Sequence, residues 1–287
     1  MSIKRIDRGI ALSLHALASG LKLPHAPRLP VLMYHSIGKG SRPGHPYYET
    51  NTSAEVFRSH LQYLSEKGFT AIDVNEIGKA MDSGQTKQRV AITFDDGFRD
   101  FHSNALPLLA EFGFKATLYV ISAIPSHGRG SLHGKELMTW DEIREAHRHG
   151  ISIGSHTVNH PELDAMAANA IEYELGASKA AIENKLGAPV QSFAYPFAFP
   201  ETRKAFTQRL RVMLQKVGYE NGVTTSIGTV SPAHDRFFYP RLPANSFDDI
   251  RFLEAKLAGS YDWMHVPQYL FKRGKGLRQT NDSREWA

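Results

Sequence analysis

The pair Asp95-Asp96, followed by Gly97, comes directly off the apolar run Val90–Phe94. Adjacent carboxylates repel, so one of them needs a proton or a cation beside it. A metal ion would relieve the repulsion, leaving one Asp as a ligand and the other free as a base. The plain alternative is a helix cap or turn, since Asp-Gly is a common turn dipeptide. His156 and His160 stand four residues apart, and in a helical turn their rings would face the same way. Pro161 follows at once, so a tight loop is the other way to bring them together. One capping and one surface histidine is the reading without a metal. Two His and one Asp form a three-ligand set with open coordination positions, which metal-assisted hydrolysis requires. His35 follows Tyr34 on an apolar strand and by itself reads as a satisfied core histidine. Arg241, between Pro240 and Pro243, by itself reads as a surface charge.

Composition narrows the chemistry. The chain has 287 residues, 14 His and no Cys. Thiolate zinc sites, Cys nucleophiles, disulfides and iron–sulfur clusters are excluded, so any metal must sit on His and carboxylates. The net charge of +5 is a mild preference for anionic partners. No dense Lys/Arg stripe accompanies it, and nucleic acid is not expected as a partner.

These residues need a scaffold that brings strand ends together. Short apolar runs alternate with helical patterns from Val31 onward, which predicts a parallel sheet with helices outside it. Strands are expected at Val31–Tyr34, Val90–Phe94, Ala116–Ile121, Ile151–Gly154, Ser192–Tyr195 and Phe237–Tyr239. Five of them end in chemically capable residues, His35, Asp95-Asp96, Ser155-His156, Pro196-Phe197 and Pro240-Arg241, and ligands in such folds sit at the carboxyl ends. No linker interrupts residues 30–260, so one domain is expected there, with an N-terminal segment over 1–29 and a C-terminal tail over 261–287 that is polar and loosely ordered from Lys272 to Ala287. Ile3, Ile6, Ile10, Leu14, Leu17 and Leu21 mark one face of an amphipathic helix. Packing of that face on the domain, a helix lying on a membrane surface and a weak export signal are the three readings left open. Without a convincing signal the expected compartment is cytoplasmic, with peripheral membrane contact through this helix. Nothing in the sequence bears on the oligomeric state.

Three segments then carry a resemblance. Thr93-Phe94-Asp95-Asp96-Gly97, Ser155-His156-Thr157-Val158-Asn159-His160 and Phe193-Ala194-Tyr195-Pro196 resemble the polysaccharide deacetylase family, the NodB-homology group of carbohydrate esterase family 4. The opening Val31-Leu32-Met33-Tyr34-His35-Ser36-Ile37 is similar as well, and the likeness covers about residues 30–260. It implies an α/β fold, a distorted (β/α) barrel of about seven strands. It implies hydrolysis of N-acetyl groups on an amino sugar of a polysaccharide or glycolipid precursor, with a sugar deformylase or other amide hydrolase of the same superfamily, or a non-catalytic glycan-binding relative, as alternatives. In roles, it implies Asp95 as base, Asp96, His156 and His160 as ligands of a divalent ion, and His35 as general acid. Zinc fits that ligand set, which also accepts cobalt, nickel, iron or manganese. Tyr195 and Phe197 fall in the substrate and oxyanion segment, where a backbone N–H helps hold the oxyanion. The family's third motif usually begins with an Arg that orients the catalytic Asp. Here that position is Ala194, and Arg241 is the candidate substitute by position.

Overall fold

Alternation along each strand sorts the residues of this sheet into two layers, one facing a ring of helices and one facing the strands across the sheet. The computed structural model describes residues 5–21, 27–38, 49–124 and 129–282, with side chains described as far as residue 274. Its main sheet contains β1 (Val31–Tyr34), β2 (Thr70–Ile72), β3 (Arg89–Phe94), β4 (Thr117–Val120), β5 (Ser152–Ser155), β6 (Ser192–Ala194), β7 (Asn221–Ile227) and β8 (Tyr239–Pro243). The order is β1-β8-β7-β6-β5-β4-β3, and β3 pairs back onto β1 to close a ring of parallel strands. The short β2 pairs with the start of β3, Ala71 opposite Val90, below the point where β4 takes over that edge. The fold is therefore a (β/α) barrel closed by seven strands, as the resemblance implies.

Leu32, Tyr34, Ile92, Phe94, Leu118 and Phe193 point outward into the core shared with the helices. Tyr34 stacks on Phe94 with ring centroids 5.4 Å apart and meets Phe57 of helix α2 (Ala54–Glu66) edge-on at 5.1 Å. Val31, Ala91, Tyr119, Ala194, Val223 and Tyr239 fill the inside. A ring this narrow has room for few large side chains. Gly154 makes way for the Tyr119 ring: a Cβ there would stand 2.4 Å from Tyr119 Cδ1.

The remaining helices are α1 (Ile6–Leu21), α3 (Ile77–Asp82), α4 (Leu106–Phe112), α5 (Trp140–Arg148), α6 (Ala168–Leu186), α7 (Lys204–Val217), α8 (Ile250–Leu257) and α9 (His265–Asp282). Thr139 caps α5 with Glu142 in a reciprocal capping box, as the sequence spacing predicts.

Three expectations change. The strand expected at Phe237–Tyr239 is β8 at Tyr239–Pro243, so Arg241 lies within the strand rather than after it. The tail is helical from His265 to Asp282, because its polar groups find partners. The Gln268 side chain accepts from the Ile227 amide and donates to the Thr225 carbonyl, and both His265 and Lys272 reach Glu201. Helix α1 forms and packs on α8, but on a different face from the one the apolar spacing predicts. It buries Asp7 and Ala11 and leaves Ile6, Ile10, Leu14, Leu17 and Leu21 between 40% and 70% exposed. Asp7 sets this orientation by accepting hydrogen bonds from Arg5 and from the Tyr261 hydroxyl at 2.8 Å, while Arg8 pairs with Asp249. Ile3 lies outside the described residues.

Candidate active site

Parallel strands all deliver their carboxyl ends to the same mouth of the barrel, and inward-facing positions there line one site. Asp95 follows β3, His35 follows β1, and His156 follows β5, all on the inner face. Arg241 sits on the inner face of β8. It is fully buried and grips Asp95 with two parallel bonds, Nη1 to Oδ1 and Nη2 to Oδ2, both 2.7 Å. Its Nε donates to the Thr224 carbonyl at 2.9 Å, and its guanidinium lies 5.9 Å from the centre of the Tyr119 ring. The inner-facing Ala194 thus leaves space on one strand while the cation arrives from another.

Asp96 carries the next carboxylate to a different place. Its Oδ1 stands 3.5 Å from His156 Nε2 and 3.4 Å from His160 Nε2. That buried oxygen has no hydrogen-bond donor. Two ligand atoms about 2.0–2.1 Å from a tetrahedral ion are about 3.4 Å apart, so these separations suit a divalent cation at the centre of the triangle. Asp96, His156 and His160 are also the one group among the described residues with metal-holding geometry. His156 Nδ1 is engaged by the Ala194 carbonyl at 2.8 Å, which fixes the tautomer and leaves Nε2 for the ion.

Backbone strain concentrates here. Six described non-glycine residues have positive φ, and four of them, Asp96, Thr157, His160 and Phe197, belong to this mouth. Left-handed backbone costs an ordinary residue roughly 1–2 kcal/mol, so surrounding contacts must hold each one. Thr157 contributes directly, its Oγ1 accepting from the His160 amide at 2.9 Å.

The remaining sequence candidates divide. His35 Nε2 is 3.8 Å from Asp95 Oδ2, and its side chain is 20% exposed, so it faces both the carboxylate and solvent. The Phe197 ring lies at the rim, 4.5 Å from the His160 ring. Tyr195 requires a correction. Alternation along the chain turns it outward, where its ring packs edge-on against Phe199 and Phe206, and its amide donates to the Val223 carbonyl. It therefore offers the mouth neither a side chain nor a free N–H.

The charges are strongly coupled. Burial pushes Asp95 up, but Arg241, and then His156, outweigh it and hold the carboxyl well below the usual carboxylate range. Burial likewise opposes ionisation of Asp96, and His156 and His35 bring it down. Burial disfavours charge on His156, yet Asp96 and Asp95 raise it above the ordinary histidine value. His160, buried and beside His156, is lowered to about 4. His160 is thus neutral and ready to bind a metal, whereas His156 must first release a proton. Metal affinity is therefore expected to fall with falling pH, beginning above the ordinary histidine value of about 6.5. Chelator-competition titrations at several pH values would show this; a flat profile from pH 8 to 6 would remove His156 from the ligand set.

Together, the fold and the site define a (β/α) barrel whose mouth carries a buried Asp-His-His group that could hold a metal, beside a carboxylate that Arg241 keeps ionised. Residues 82–222 match the family model described as Polysaccharide deacetylase. The chain is 32% identical over 215 residues to "Putative polysaccharide deacetylase YxkH" of Bacillus subtilis (strain 168), covering 74% of this chain and 69% of that protein. The chain belongs to the polysaccharide deacetylase family, a family of metal-dependent carbohydrate deacetylases. Among solved structures, Streptococcus pyogenes deacetylase PplD in complex with acetate superposes with a TM-score of 0.70 at 25% identity, over 80% of this chain and 98% of that one. The poly-beta-1,6-N-acetyl-D-glucosamine N-deacetylase of Staphylococcus aureus (strain MSSA476) is 21% identical over 230 residues, 74% of this chain and 77% of that protein. His35 and Arg241 lie outside the matched segment 82–222, the one just after β1 and the other on its neighbour β8.

Proposed function

We propose that this protein removes N-acetyl groups from an amino sugar within a glycan, with zinc held by Asp96, His156 and His160. The observation that carries the reading is the pairing of two neighbouring carboxylates with different partners. Asp96 faces two imidazoles across a gap of ion size, and Asp95 is held ionised by a buried Arg241. A bound divalent ion would polarise the acetyl carbonyl and lower the pKa of a water. Asp95 accepts the proton of the attacking water as its oxygen bonds to the carbonyl carbon. Arg241 keeps both Asp95 oxygens fixed during that transfer. His35, on the solvent side of Asp95, donates a proton to the sugar nitrogen as the carbon–nitrogen bond breaks. The products are acetate and a free amine. The rim backbone at Phe197 supplies an N–H to the oxyanion. The relative from S. aureus makes a poly-β-1,6-linked N-acetylglucosamine polymer the first substrate to try.

The test is acetate release from N-acetylglucosamine polymers and lipid-linked N-acetyl sugars, before and after chelation, with zinc restored at the end. Activity that disappears with chelator and returns with zinc is expected, and His35→Ala should lower kcat far more than metal affinity. Formate release would assign an N-formyl sugar instead, and undiminished turnover in chelator would end the metal reading.

We further propose that the outward apolar face of α1 rests on a membrane surface at the cytoplasmic side, where glycolipid precursors are found. Asp7 and Ala11 already anchor the opposite edge of the helix, and five large aliphatic residues remain facing outward. Co-flotation with anionic phosphatidylglycerol vesicles should be lost in Ile10→Ser/Leu14→Ser/Leu17→Ser; equal flotation of parent and variant would refute it.

A further inference from the structure

We infer that Glu174, on α6, is the positioning residue that aims His160 at the ion, a reading that rests on the metal assignment proposed above. Glu174 is 3% exposed, and its partners are amide N–H groups rather than a cation. Its Oε2 accepts from the backbone N–H of Val158 at 2.7 Å and of Asn159 at 3.0 Å. Its Oε1 accepts from Asn159 Nδ2 at 2.8 Å. One carboxylate thus ties down both residues that precede His160.

A second residue on the same helix face assists. Ser178, one helical turn beyond Glu174, donates to the Thr157 carbonyl at 2.9 Å and meets Ser155 Oγ at 2.8 Å. The loop from Ser155 to His160 is therefore clamped to α6 at its start and in its middle. Free of that clamp, Thr157 and His160 would leave their left-handed backbone, at φ +69° and +55°, for ordinary conformations. His156 does not depend on Glu174 in this way. Its amide is bonded to the Val120 carbonyl and its ring to the Ala194 carbonyl, both within the barrel. Glu174 therefore acts on one of the two imidazoles. A carboxylate suits the task because both of its oxygens are acceptors, whereas an amide would turn an NH₂ toward N–H groups.

The test uses the full chain and zinc alone. Zinc affinity, measured by competition with a chromophoric chelator, is expected to fall about 10–100-fold in Glu174→Gln, the range for groups that orient metal ligands. Asn159→Ala, which removes one of the three bonds, should lose less. In a His160→Ala background, Glu174→Gln should cause no further loss, since the ring it positions is gone. Amide exchange of the metal-free protein gives an independent reading: the Val158 and Asn159 N–H groups are expected to be protected in the parent and to exchange faster in Glu174→Gln. Affinity in Glu174→Gln within about twofold of the parent overturns the proposal, as does an undiminished loss in the His160→Ala background. A parent that takes up no zinc overturns the metal assignment itself, before any variant is compared. Unchanged exchange at Val158 and Asn159 instead overturns the clamp while leaving that assignment in place.

Discussion

Asp95→Asn is expected to keep its metal and lose turnover by about 10²–10⁴-fold, the range of a positioned general base. The substitution removes the proton acceptor and leaves the Asp96, His156 and His160 triangle intact, because Asp95 lies outside it. It also leaves Arg241 buried opposite an amide, with an NH₂ group turned toward guanidinium donors. Removing one partner of a buried ion pair typically costs about 3–5 kcal/mol, so a lower melting temperature should accompany the kinetic loss. Initial rates, bound-metal analysis and thermal melts on the same preparation separate these effects. Near-parent turnover would refute the base assignment, whereas lost metal would move Asp95 into the ligand set.

Arg241→Met should also be severe, and it is diagnostic because its effect depends on pH. In the parent, Arg241 overcomes the burial penalty and holds Asp95 ionised far below the usual carboxylate range. Without the guanidinium, burial drives the Asp95 pKa upward. The base is then protonated as pH falls through that raised value and recovers as pH rises. Activity of the variant is therefore expected to show a new acid limb and partial rescue at high pH. Methionine fills much of the volume but leaves a buried carboxylate uncompensated, so a stability loss of about 3–5 kcal/mol is expected as well. A pH–rate profile parallel to that of the parent would show that Arg241 is a structural cation only. Arg241→Lys should rescue part of the stability and less of the rate, since a point charge cannot reproduce the two-pronged grip.

Much of the Asp96, His156 and His160 triangle was legible in the sequence because its determinants are local. An apolar strand ending in Asp95-Asp96, and another ending in Ser155-His156 with His160 four residues on, state both the residue types and the mouth they reach. The Thr139–Glu142 capping box and the helix it starts were readable for the same reason. Arg241 was harder. It could be named by position, but its expected strand began two residues early and ended four residues early, and as an isolated Arg flanked by prolines it suggested the surface. Its partner lies 146 residues away in sequence, and only closure of the ring brings the two together. Tyr195 failed for a simpler reason. A motif does not say which way a side chain faces, and one step of strand alternation separates the inner Ala194 from the outer Tyr195.

The sequence by itself determined which chemistry was available: carboxylate and imidazole without thiolate, strands with reactive carboxyl ends, and an amphipathic first helix. Those properties follow from composition and from periods of two and of three to four residues, which operate over a few neighbours. The tertiary structure decided which groups meet. It set Arg241 on Asp95, turned α1 so that Asp7 rather than its aliphatic stripe is buried, and placed Glu174 beneath the loop that carries His160. Each of these is a contact between polar groups distant in sequence. Their energy comes from satisfying a buried charge or N–H, and that requirement appears only once the chain has closed around it.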